Sequence, residues 1–159
     1  MSLKDYTGRK YDYLSFRGVK PTSATKLDLE LFTPENNGQI CVGIQKLAQR
    51  WLLEFLTALG SMPGRPTRGS TFIAQVKRGQ LFNQIDVSAA FASDEIDIRN
   101  NLRNEEYAGM PDDEKIDNAQ LLSSASLPGY LQLYVKITSR AGTSREIILP
   151  ISMLPQNNK

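Results

Sequence analysis

The sequence predicts an α+β domain: an antiparallel sheet, built from an N-terminal hairpin and a C-terminal meander, with two main helices packed on one face. Three stretches carry that reading. Residues 44–60 place apolar side chains at helical spacing, residues 87–106 repeat a weaker version of that pattern, and residues 130–151 alternate apolar and polar side chains about a turn. Helices and strands segregated along a chain, rather than alternating, favour an antiparallel sheet with its helices grouped together.

Residues 1–26 read as an N-terminal arm. They mix glycine and polar residues with Tyr6, Tyr11, Tyr13 and Phe16, and hold neither period for long. The arm either folds back on its own domain or, with Arg17 and Lys20 beside its aromatics, docks on a neighbouring subunit through Tyr11, Tyr13 and Phe16. A single domain is expected over 27–151. It begins with a strand over 26–32, where Leu27, Leu29 and Leu31 alternate with Lys26, Asp28 and Glu30. The turn-rich run 34–38 ends in Asn-Gly, so residues 39–42 can return as the second arm of a hairpin. Cys41 is read there as a small apolar strand residue, since the chain has no histidine to activate it.

The core helix is predicted over 44–60. Ile44, Leu47, Ala48, Trp51, Leu52, Phe55, Leu56 and Leu59 share one face, while Gln45, Lys46, Gln49, Arg50 and Glu54 are assigned to the other. Gly60 and Pro63 supply the stop. Residues 61–70 form a Pro- and Gly-rich loop carrying Arg65 and Arg68; without a Lys-Ser/Thr ending it is not a P-loop. A short helix over 71–77 turns Phe72, Ile73 and Val76 inward. The second main helix follows over 87–106, with Asp86 as its N-cap, Val87, Ala90, Phe91, Ile98 and Leu102 inward, and Asp94, Asp97, Arg99, Asn100, Arg103 and Glu106 outward. Asp94, Glu95 and Asp97 could form a paired-carboxylate or metal site, but with Arg99 and Arg103 interleaved they read as a solvated charged face. A strand over 115–123, a turn at Pro128-Gly129 and strands over 130–138 and 144–151 complete the chain, Pro150 requiring the last of them to lie at an edge or to be ending. Residues 152–159 are a polar tail.

Bulk composition narrows the function. The chain has 159 residues, 19 basic and 17 acidic side chains, net charge +2, one cysteine and no histidine. That length suits one domain. The charge is too balanced for a strong grip on nucleic acid or an anionic membrane, no intramolecular disulfide can form, and the commonest metal ligand and general base is missing. The helix over 44–60 carries Lys46, Arg50 and Glu54, so it is not a membrane span, and the N-terminal residues lack the apolar run of a secretory signal. Assembly in a cytoplasm is expected, with no cofactor, no metal and no catalytic residue.

Several of these features together resemble a known family. They are the helix QKLAQRWLLEFLTALGS ending in Gly60-Ser61, the loop Pro66-Thr67-Arg68-Gly69-Ser70, the polar second helix, the segment PDDEKI, then Ala119-Gln120-Leu121 and the strand pair LQLYVKIT and REIILPI. Over roughly 27–151 the chain resembles the small sheath-nucleating baseplate wedge proteins of contractile phage tails, lysozyme-like wedge subunits that recur in related contractile injection systems. Where that family has Glu-Pro-Arg-Ile, this chain has Asp113-Glu114-Lys115-Ile116, without the proline and with a lysine that cannot form a planar bidentate clamp. The resemblance implies a structural virion protein in the tail baseplate, present in multiple copies, contacting other baseplate wedge proteins and tail sheath subunits, and templating the start of the sheath. It implies contact through Asp113, Glu114, Lys115 and Ile116, and through the strand bearing Arg145, Ile147 and Leu149, whose edge could accept a partner strand.

Three other readings stand beside it: a head-to-tail connector or tail terminator subunit, a small nucleic-acid-binding module using Arg50, Arg65, Arg68, Lys77 and Arg78 with Tyr130 and Tyr134, and an enzyme. The last has only carboxylates, lysines and tyrosines to draw on, in no spacing that favours chemistry over surface charge.

Overall fold

The computed structural model describes residue 10, residues 12–13 and residues 40–153. Tyr11, Phe16, the strand expected over 26–32 and residues 154–159 lie outside the described residues. Within them the elements run β1 (Asp12–Tyr13), β2 (Ile40–Cys41), α1 (Ile44–Leu56), α2 (Phe72–Lys77), α3 (Gln84–Asn104), a 3-10 turn (Asp112–Glu114), β3 (Ile116–Leu127), β4 (Tyr130–Ser139) and β5 (Ser144–Ser152). This is an α+β architecture. Its main sheet is antiparallel in the order β3-β4-β5, and a separate two-residue ribbon pairs β1 with β2.

The β4 strand explains why the sheet has a buried side. Leu131, Leu133, Val135 and Ile137 are buried and alternate with half-buried Tyr130, Gln132, Tyr134 and Lys136, as the two-residue period requires. These four join Leu149 and Ile151 of β5, Leu47, Trp51 and Phe55 of α1, Phe72 and Val76 of α2, and Phe91, Ile98 and Leu102 of α3 in one apolar cluster. Its centre is aromatic. Trp51 stacks on Phe55 with ring centroids 4.9 Å apart, Phe72 lies 5.1 Å from Phe55, and Phe91 lies 5.7 Å from Phe55 and 5.9 Å from Trp51. Each large side chain taken fully from water contributes about 1.5 to 3 kcal/mol before ordering entropy, which makes α1 the element around which the others pack.

Besides β3, which runs on to Leu127 instead of ending at residue 123, four details differ from the sequence reading. First, α1 stops at Leu56 instead of continuing to Gly60, and Leu59 is exposed. Thr57 is extended, because the chain after α1 pairs with Ser70: the Ser70 N–H donates to Thr57 O (2.8 Å) and the Leu59 N–H to Ser70 O (3.0 Å). Second, the N-cap of α3 is Asn83, whose Oδ1 accepts the Asp86 N–H (2.9 Å), so the helix starts earlier than Val87. Third, Ile40–Cys41 pairs with Asp12–Tyr13, so among the described residues the partner of that strand comes from the N-terminal arm. Fourth, Lys46, Gln49, Glu54 and Asp94, assigned to solvent, are buried, each against a polar partner from elsewhere in the chain. Pro150 falls on β5, an edge strand, where a missing N–H breaks no interior ladder.

Candidate functional site

The segment expected to make contacts, residues 113–116, is half inside the domain. Glu114 closes the 3-10 turn and is 1% exposed. Its Oε2 accepts from Lys46 Nζ (2.7 Å) and its Oε1 from the Gly43 N–H (3.1 Å), so the acid binds the start of α1. Gly43 takes a left-handed φ of 64° at that point, which presents its amide to the carboxylate. Lys46 also donates to the Lys10 carbonyl, and Gln49 Nε2 donates to Asp12 Oδ2 (3.2 Å), so the same face of α1 holds the residues before and within β1. Ile116 is buried in the core as well. Glu114 and Ile116 therefore act within the chain, correcting their reading as contact residues: a carboxylate this deep survives only with charge-assisted partners, and here they are intramolecular.

Asp113 and Lys115 are half-buried, with Lys115 Nζ on Asp112 Oδ1 at 2.8 Å. The backbone of this segment is tied to the β4–β5 turn, since the Arg140 N–H donates to Lys115 O (3.0 Å) and the Ala141 N–H to Asp112 O (3.2 Å). Arg145 pairs with Ile137 in the β4–β5 ladder close to that turn. The fold thus gathers Asp113, Lys115 and Arg145 at one end of the sheet. Ile147 continues along β5 half-buried, whereas Leu149 is fully buried in the core, so Leu149 is corrected to a packing residue. Tyr13 contributes backbone pairing to β1.

The two edges of the main sheet are treated differently. At the start of β3, Glu95 Oε1 of α3 accepts the Ala119 N–H (3.2 Å) and Arg103 Nη2 donates to Asp117 O (3.0 Å), so helix side chains stand in for a neighbouring strand. On the outer side of β5 no strand lies among the described residues. An edge of this kind is either guarded or used, because its backbone donors and acceptors can pair with another chain.

The Pro- and Gly-rich loop is clamped rather than loose. Glu54 is 3% exposed and accepts from Arg68 Nε (2.9 Å) and Nη2 (2.7 Å), from the Gly69 N–H (3.0 Å) and from Asn101 Nδ2 (3.2 Å). Glu105 accepts from Arg50 (2.8 Å), Arg65 (3.2 Å) and Arg68 (2.5 Å). Burial would weaken the Arg68 charge, but hydrogen bonds to Glu54 and Glu105 outweigh it and raise its pKa. Burial alone would likewise raise Glu105, and hydrogen bonds from Arg50 and Arg68 outweigh it and hold the carboxyl below its ordinary value. Gly69 is required at φ +102°, since a Cβ there would meet Thr57 O at 2.6 Å. Arg50, Arg65 and Arg68, three of the five basic residues offered for gripping a polyanion, are paired with carboxylates of their own chain, whereas Lys77 and Arg78 have no ion-pair partner among the described residues.

The carboxylates of α3 go separate ways. Asp94 Oδ1 accepts the Thr71 N–H (3.2 Å) and the Thr71 hydroxyl (3.0 Å), capping the start of α2, while Glu95 holds β3 and Arg99. Asp97 is exposed. Cys41 is buried, and desolvation followed by the nearby Asp12 charge pushes its thiol up to about 11, which suits a packing role and not a nucleophile. Among the described residues no group of three or more His, Cys, Asp or Glu side chains is placed to hold a metal ion, and no helix is long and apolar enough to cross a membrane.

Lys46, Gly43 and Glu54 organise this region, yet helical periodicity assigned both charged residues to solvent. Their partners, Glu114 for Lys46 and Arg68 and Gly69 for Glu54, are supplied by other parts of the chain, and helical periodicity carries no signal for them. No family model, curated protein or solved structure matches this chain.

Proposed function

We propose that this chain is a structural virion protein, a wedge subunit of a contractile-tail baseplate that joins neighbouring wedge proteins and templates the start of the tail sheath. The outer side of β5 carries the reading: among the described residues no strand pairs with it, so a strand from a sheath subunit could be added there, and strand addition needs neither cofactor nor catalytic residue. Asp113, Lys115 and Arg145, gathered beside the β4–β5 turn, would fix the approach of the neighbouring wedge chain. The sequence resemblance over 27–151 supports the same assignment.

The test is reconstitution of sheath assembly from wedge and sheath subunits of a contractile tail, followed by electron microscopy. With the chain present, sheath nuclei form on baseplates; without it they are lost or misplaced. Asp113→Ala and Lys115→Ala should melt within about 1 kcal/mol of wild type, as half-exposed charges do, yet nucleate fewer sheaths. Sheath formation that is the same with and without the chain would refute the assignment.

A further inference from the structure

A second surface is a groove of about 540 Å³ between the end of α2, the α2–α3 connection, the β3–β4 turn and the residue that follows β5. Half-buried Leu81 and Met153 supply its accessible apolar surface, over the buried side chains of Val76, Val87 and Leu131, and Phe82 stands at it 85% exposed, with Ile85 79% exposed one turn on. Among the described residues Lys77 and Arg78 are the charged ones of the lining, and none is a carboxylate. Both are exposed, and neither has an ion-pair partner among the described residues, in contrast to Arg50, Arg65, Arg68, Arg99 and Arg140.

Phe82 is not on a slack loop. Its backbone N–H donates to Asp86 Oδ2 (3.1 Å), while the Asp86 N–H donates to Asn83 Oδ1 (2.9 Å), a reciprocal cap that holds the residue before α3 in place. In that position an apolar side chain often packs on the fourth helical residue, here Val87, but an 85% exposed ring leaves the contact open. An exposed aromatic on an anchored backbone, beside an apolar groove, is the kind of residue that contributes strongly to protein interfaces once it is covered.

We propose that this groove docks a short segment of a partner protein in which apolar side chains alternate with carboxylates. The apolar side chains cover Phe82 and lie against Leu81 and Met153, and a carboxylate reaches Lys77 and Arg78. Two exposed cations, without an ion-pair partner among the described residues, beside exposed apolar side chains favour an acidic, apolar peptide. Nucleic acid would call for a wider basic field than two side chains, on a chain whose net charge is +2. The proposal does not depend on the baseplate reading, since it uses neither the β5 edge nor residues 112–116.

The experiment titrates the isotope-labelled full chain with three synthetic 12-residue probes: Leu/Phe alternating with Glu, the same peptide with Lys for Glu, and the same with Ser for Leu and Phe. Amide shifts and fluorescence anisotropy are the readouts. The acidic apolar probe should shift the amides of residues 76–87 and 124–131 and bind at least about tenfold more tightly than either control. Phe82→Ala, Lys77→Glu and Arg78→Glu alter exposed side chains, should leave the melting curve unchanged, and should each weaken binding by about tenfold or more. Absence of shifts at millimolar probe, equal binding of the lysine probe, binding unaffected by the variants, or tighter capture of oligo-dT or anionic phosphatidylserine vesicles through the same residues would overturn it.

Discussion

Glu114, Glu54 and Asp94 share one predicament: each is a carboxylate taken almost wholly from water. A buried acid is tolerable where donors replace its hydration: Lys46 and the Gly43 amide do so for Glu114, Arg68 and the Gly69 amide for Glu54, and the Thr71 amide and hydroxyl for Oδ1 of Asp94, whose Oδ2 has no partner among the described residues. Removing one partner strands the other. Glu114→Ala should lower the unfolding free energy by about 3 to 5 kcal/mol in urea titration, because Lys46 is left buried without its counter-charge. Glu105 gives a pH signature instead. Its folded pKa lies below the ordinary 4.5, so its contribution is complete above that value and is lost as pH falls through the folded pKa. Midpoints of urea unfolding measured from pH 7 to pH 3 should therefore decline below about pH 4.5, and Glu105→Gln should flatten the decline. A variant with the wild-type slope would show that the three arginines gain nothing from this carboxylate.

Among elements, α1 has the largest effect on folding. Trp51 is fully buried, stacked on Phe55 and close to Phe91, so Trp51→Ala should cost about 3 to 5 kcal/mol. The indole Nε1 has no hydrogen-bond partner among the described residues, so Trp51→Phe should cost distinctly less in the same melting experiment. The apolar face of α1 was legible because a 3.6-residue period reports burial directly, and the alternation of β4 was legible for the equivalent reason. The end of α1 was not. Gly60 and Pro63 make a sound stop signal, but hydrogen bonds between residues 57–59 and Ser70 draw the chain out of the helix earlier, and those bonds come from the loop that Gly69 allows to approach. The cap of α3 shifted for a local reason: Asn83 and Asp86 are both good capping residues, and the reciprocal bond uses both.

At the scale of the molecule, all three helices and the main sheet contribute to one apolar cluster, which leaves no part of the described fold with a core of its own. Unfolding should therefore be a single transition. Trp51 is the only tryptophan and sits in that cluster, so its fluorescence should change in step with far-UV circular dichroism, and separated midpoints would reveal an independently melting unit. The same scale separates the surfaces: among the described residues no strand pairs with the outer side of β5, the start of β3 is held by Glu95 and Arg103, and the groove beside Phe82 lies by the β3–β4 turn.

Local pattern was enough to determine the α+β class, the large apolar side chains of α1 and α3 that enter the core and the β4 alternation, because each follows from the spacing of residues close in sequence. Only the tertiary structure decided which charged residues are interior, which backbone edge is covered, and that Glu114 and Ile116 serve the inside of the domain while Asp113 and Lys115 remain near its surface. Those outcomes depend on partners many residues away, such as Lys46 with Glu114 or Arg103 with the Asp117 carbonyl, and a periodicity read along one helix carries no information about what is packed against it.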